Sequence, residues 1–149
     1  RGNATPLAAQ VLLFPATEYA IYRPSWMENA NAPLLTTADT IWFWGQYLRT
    51  EADRTDPRAT PANADSFADL PPALVVVAGH DPLRDDGLHY ADLLDSAGTP
   101  VEIARFEGSF HDFIVMPALA AYSRGLDTIT VFLDKVLTPA APMSTESAS

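Results

Sequence analysis

The stretch ALVVVAGHDPLRDDG, residues 73–87, decides the fold. Ala73 to Ala78 is an apolar, largely β-branched run bounded by Pro72 and Gly79, the strongest strand signal in the chain. Asp81-Pro82 then reads as a helix N-cap followed by proline at the first helical position. Asp85 and Asp86 in the first turn suit the positive end of a helix dipole. Leu83, Tyr90, Leu93, Leu94 and Ala97 carry that helix to Gly98, a natural C-terminal glycine.

Working outward, Val101 to Phe106 (VEIARF) alternates apolar with polar or small residues, as a strand with one partly wet face does, and ends at Gly108. A last helix from about Pro117 to Leu137 places Leu119, Tyr122, Leu126, Ile129, Phe132, Leu133 and Val136 at helical spacing. Upstream, Gln10 to Phe14 (QVLLF), closed by Pro15, reads as a parallel strand buried on both faces. Ala16 to Pro33 has little period and reads as an irregular connection. Thr36 or Thr37 caps a helix running to about Arg49, with Ile41, Trp44, Tyr47 and Leu48 on one stripe. Glu51 to Pro72 is loop, punctuated by Pro57, Pro61, Pro71 and Pro72. This order of elements is that of an α/β protein with parallel strands. Residues 1–138 read as part of one domain and residues 139–149 as a small, polar, disordered tail.

Composition narrows the function. The 19 acidic residues against 9 basic ones give a formal charge of -10, which repels phosphate backbones and anionic lipid surfaces, so neither nucleic acid nor a membrane is expected as a partner. The absence of cysteine removes disulfides, thiolate metal sites and a Cys nucleophile, and it is compatible with a cytoplasmic setting. No apolar run approaches the roughly 18 to 20 residues that span a bilayer, and the Arg1-Gly2-Asn3 start is unlike a signal peptide. With no initiator Met, the chain reads as processed or as part of a longer one.

The segments Gly79-His80-Asp81-Pro82-Leu83-Arg84-Asp85-Asp86-Gly87 and Gly108-Ser109-Phe110-His111-Asp112-Phe113 sit past the C-terminal ends of consecutive strands, where open α/β sheets build their sites. A carboxylate there can fix the tautomer of an imidazole that takes a proton from a nucleophile. Taken singly, Asp81 reads as a helix cap and His111, between Phe110 and Phe113, as a hydrogen-bonded histidine near a core. As a pair they read as acid and base.

At these residues the chain resembles the hormone-sensitive-lipase-like esterases, bacterial carboxylesterases of the α/β-hydrolase fold. The resemblance runs through QVLLFPAT at residues 10–17, Pro33-Leu34-Leu35, Trp42-Phe43-Trp44 with Tyr47-Leu48, and Asp56-Pro57-Arg58-Ala59. It continues through Leu70-Pro71-Pro72-Ala73, the acid motif itself and Ala97-Gly98-Thr99-Pro100-Val101-Glu102. It implies that Asp81 is the catalytic acid and His111 the base of a Ser-His-Asp hydrolase acting on esters of short to medium acyl chains; no cofactor is expected, and no metal, since neither His80 nor His89 has a metal-site spacing to Asp or Glu. It also implies that these strands are the sixth to eighth of the sheet. The nucleophile elbow, oxyanion loop and cap helices would then lie in an N-terminal half outside this chain. That half, or another polypeptide, is the expected partner of the apolar first strand, with a homodimer as a further option. A small-molecule receptor on the same fold and an inactive interaction module are the rival readings.

Two features depart from the family's pattern. Asp95-Ser96-Ala97-Gly98 superficially looks like an elbow, but Ser96 closes a helix instead of opening one and is set aside as nucleophile. Asp112 stands where the family usually has glycine; its carboxylate either faces solvent or raises the His111 pKa. His80 and His89 read as bystanders, Trp42, Phe43 and Trp44 as core more than acyl pocket, and the acidic residues from Asp85 to Asp95 as a solvated helix face.

Overall fold

The computed structural model describes residues 7–138, in which three strands, β1 (Gln10–Leu13), β2 (Ala73–His80) and β3 (Val101–Phe110), pair in parallel in the order β1-β2-β3. The helices are α1 (Pro24–Glu28), α2 (Thr37–Tyr47), α3 (Arg84–Ser96) and α4 (Ala120–Leu137). β2 takes the central place because it is apolar on both faces. Ala73, Val75 and Val77 meet Tyr90, Ala91 and Leu94 of α3. Leu74, Val76 and Ala78 meet Phe113, Ile114, and Ala121 and Phe132 of α4. The sheet is thus covered by α3 on one face and by α4 on the other.

Several elements differ from the sequence reading. β1 is not buried on both faces: its residues are half-buried and Leu13 is 41% exposed, because it lies at the sheet edge with β2 on one side only. The connection at 16–33 contains α1, a five-residue helix with proline in its first turn and too short to show a period. The loop at 51–72 holds two 3₁₀ turns, Glu51–Thr55 and Pro61–Asn63. α2 is capped as expected, by Thr36 in a capping box with Asp39, but only Thr40 and Trp44 are buried on it. Ile41, Trp42, Phe43 and Tyr47 are 42–60% exposed, so the aromatic run is not core apart from Trp44. α4 begins at Ala120 instead of Pro117, and its inner face is Ala121, Gly125 and Phe132 flanked by Leu119, Ile129, Leu133 and Val136. The tail expected to be disordered, 139–149, lies outside the described residues.

β3 runs on to Phe110, past the Gly108 at which it was expected to stop. Ala78 pairs with Phe106 but His80 with Phe110, so β3 bulges between these registers. The bulge closes over Gly79: a Cβ there would lie 2.1 Å from the Glu107 carbonyl oxygen, which only glycine permits. No helix among the described residues is long and apolar enough to cross a membrane.

Candidate active site

Two chain segments leave the same end of the sheet side by side, one after β2 and one after β3. Asp81 follows β2 directly. The helix N-cap is Leu83, not Asp81, and α3 starts at Arg84 instead of Pro82. Asp81 therefore occupies a turn, where its Oδ1 accepts the Leu83 N–H at 2.8 Å. Its backbone carbonyl accepts the Arg84 N–H at 3.1 Å. That local bond leaves Oδ2 pointing out of the turn toward β3.

His111 follows β3 directly, and its Nδ1 lies 2.8 Å from Asp81 Oδ2. A carboxylate facing Nδ1 selects the tautomer protonated there and leaves Nε2 as the free base nitrogen. The Asp81 side chain is 1% exposed and that of His111 17%. The imidazole is steadied from another side by Phe14, whose ring centroid is 5.3 Å away and which stacks edge-on against Phe113. Phe14 has φ +47°, a left-handed conformation rare for a bulky residue, immediately after β1. Sequence periodicity carries no sign of that contact, because it joins residues 97 positions apart.

Asp112 also lies in the left-handed region, at φ +56°, a conformation that glycine adopts without strain and aspartate more readily than most residues. Its Oδ1 is 3.8 Å from His111 Nε2, beyond hydrogen-bond reach, and its side chain is half exposed. Ser96 ends α3 while Asp81 precedes its first turn, so about 20 Å of helix separates Ser96 from this end of the sheet. Among the described residues no serine hydroxyl bonds to His111.

The acid-rich start of α3 is not a solvated face. Asp86 is fully buried, with Arg23 Nε 3.3 Å from its Oδ1, and burial pushes its carboxyl up to about 8. Burial also raises Asp85, but hydrogen bonds from Arg84 and the Ser25 backbone outweigh it and hold that carboxyl below its ordinary range. Asp92 and Asp95 are exposed as expected. His80 is exposed, and His89 Nε2 lies 3.6 Å from Glu18. Phe43, Trp44 and Tyr47 line a groove of about 440 Å³ with Ala16, Arg58 and Pro61.

A sequence model of the alpha/beta hydrolase fold matches residues 1–115. The chain belongs to this family. It is 40% identical over 135 residues to the esterase LipI of Mycobacterium tuberculosis, an alignment covering 86% of this chain and 42% of LipI. It is 45% identical over 115 residues to the carboxylic ester hydrolase LipN of the same organism, covering 76% of this chain and 30% of LipN. A thermostable esterase from Pseudomonas putida superimposes with a TM-score of 0.86 at 32% identity, over 92% of this chain and 44% of that one. The chain thus spans less than half the length of these relatives. The resemblance to hormone-sensitive-lipase-like esterases and the parallel-stranded α/β-hydrolase architecture are both borne out.

Proposed function

We propose that this chain supplies the acid, Asp81, and the base, His111, of a carboxylic-ester hydrolase whose serine nucleophile lies outside these 149 residues. The observation that carries the reading is the 2.8 Å contact between His111 Nδ1 and a buried Asp81 carboxylate, with Nε2 left unbonded. In this scheme Nε2 takes the serine hydroxyl proton as the serine oxygen attacks the ester carbonyl carbon. Asp81 balances the charge gained by the ring. His111 then gives the proton to the departing alcohol, and in the second half it activates the water that releases the acid and restores the serine. No cofactor is required. Residues 1–138 form part of one catalytic domain, and substrates are esters of short to medium acyl chains, as the resemblance implies.

The test is turnover of a p-nitrophenyl ester by the complete protein carrying Asp81→Asn, His111→Ala, or both. Asn keeps an Oδ1 acceptor for the Leu83 N–H, so the thermal midpoint should hardly move. kcat should fall by up to roughly 10⁴-fold in either single variant. The double variant should lose little more, since the groups act as a unit. Near-normal turnover by Asp81→Asn would remove Asp81 from this role.

A further inference from the structure

We propose that Ser25 and Asn29, on and directly after α1, are positioning residues that hold the turn carrying Asp81 at the distance from which its carboxylate meets His111. The proposal rests on the reading of Asp81 and His111 as acid and base. Asp81 and Pro82 lie between β2 and the N-cap of α3, so no strand ladder reaches them, and of their carbonyls only that of Asp81 is bonded within the turn, by the Arg84 N–H. Their outward carbonyls are instead gripped from α1, more than fifty residues earlier in the chain. The Asn29 amide Nδ2 donates to the Asp81 carbonyl at 3.1 Å and to the Gly79 carbonyl at 3.3 Å, straddling His80. The Ser25 hydroxyl donates to the Pro82 carbonyl at 2.6 Å and accepts the Asp85 N–H at 3.2 Å. The Ser25 N–H donates to Asp85 Oδ2 at 2.8 Å. Arg84 closes the arrangement from outside by joining Asp85 and Glu28.

Ser25 is fully buried and Asn29 is 8% exposed, so these bonds are made away from bulk water, where geometry is held tightly. Packing alone would not call for an amide here: the apolar anchoring of this turn comes from Leu83, seated among Trp26, Leu35 and Trp44. What Asn29 adds is direction, because its amide donates both to the Gly79 carbonyl near the end of β2 and to the Asp81 carbonyl in the turn that follows. Each such bond contributes only modestly to net stability. A misplacement of about 1 Å at a reacting group, by contrast, costs on the order of 10²-fold in rate. Loss of the clamp should therefore appear in kcat more than in folding.

The experiment compares Asn29→Ala, Asn29→Asp and Ser25→Ala with Asp81→Asn in the complete protein, by ester turnover and by the proton NMR signal of the His111 Nδ1–H. The expected result for both Asn29 variants is a kcat loss approaching 10²-fold with KM little changed, together with broadening of that signal as the Asp81 contact loosens. Ser25→Ala should show the same two changes to a smaller degree. It decides the matter alone if the Asn29 variants do not fold. Lowered thermal stability with kcat and the Nδ1–H signal as in the unaltered protein would make the clamp merely structural and overturn the proposal. If Asp81→Asn itself leaves turnover and the signal unchanged, the acid–base reading fails and the proposal falls with it. If only Asp81→Asn has an effect, the clamp alone is wrong.

Discussion

Among the described residues, Asp86 is a carboxyl whose titration burial alters strongly. In an unfolded chain its carboxyl titrates near pH 4. In the folded chain burial raises it to about 8, against the opposing pull of Arg23 and with Glu18 and Asp81 adding repulsion. Between those values the folded state holds a proton that the unfolded state has lost. Stability should thus decline as pH rises from about 4 to about 8, by up to about 1.4 kcal/mol per pH unit from this group. Asp86→Asn keeps the shape without the charge, so its unfolding free energy should decline less over that window. Equal pH slopes for the two proteins in denaturant unfolding would show that Asp86 is ionised in the folded state. Sequence periodicity assigned this aspartate to a wet helix face, because a carboxylate in a first turn has an ordinary role there. Its burial depends on Arg23, 63 positions away. That Asp81 and His111 lie near each other was legible for the opposite reason, since both follow neighbouring strands, although the true end of β3 and the turn that holds Asp81 were not.

At the scale of elements, the approach of β3 to β2 sets where His111 falls. Gly79→Ala would drive a methyl into the Glu107 backbone, which has no flexible side-chain end to yield. The expected cost is about 1–3 kcal/mol, with a loss of ester turnover as the segment leading to His111 shifts. Gly108→Ala, whose Cβ would meet nothing within 4 Å, serves as the control and should stay within about 0.5 kcal/mol of the unaltered protein. Chemical unfolding of the two variants measures the difference. Equal stabilities would mean that the bulge relaxes without effort. β2 and the body of α3 could be read from β-branching, apolar spacing and Gly98, all local signals. The bulge could not, since it arises from two strands meeting, and α1 could not, since five residues are too few to show a helical period.

At the largest scale, the described residues form a three-stranded sheet between α3 and α4, with a long excursion from β1 to β2 that reaches back over the site end to grip the acid turn. Both outer strands keep one unpaired edge among the described residues, and Trp42, Phe43 and Tyr47 of α2 face outward. The order of strands and helices was enough to name the architecture. The exposure of β1 and of the aromatic run was not legible, because apolar composition reports what a surface is suited to meet and not whether it meets it within this chain. The proposed function divides one chemistry between two stretches of polypeptide, with acid and base here and the nucleophile elsewhere. Labelling with a fluorophosphonate, located by peptide mass spectrometry, tests it most directly. The complete protein should be modified at one serine outside these 149 residues, at a rate that collapses in His111→Ala, and the 149-residue chain alone should remain unmodified. Stoichiometric label on Ser96, or on any other serine of this chain, would contradict the account.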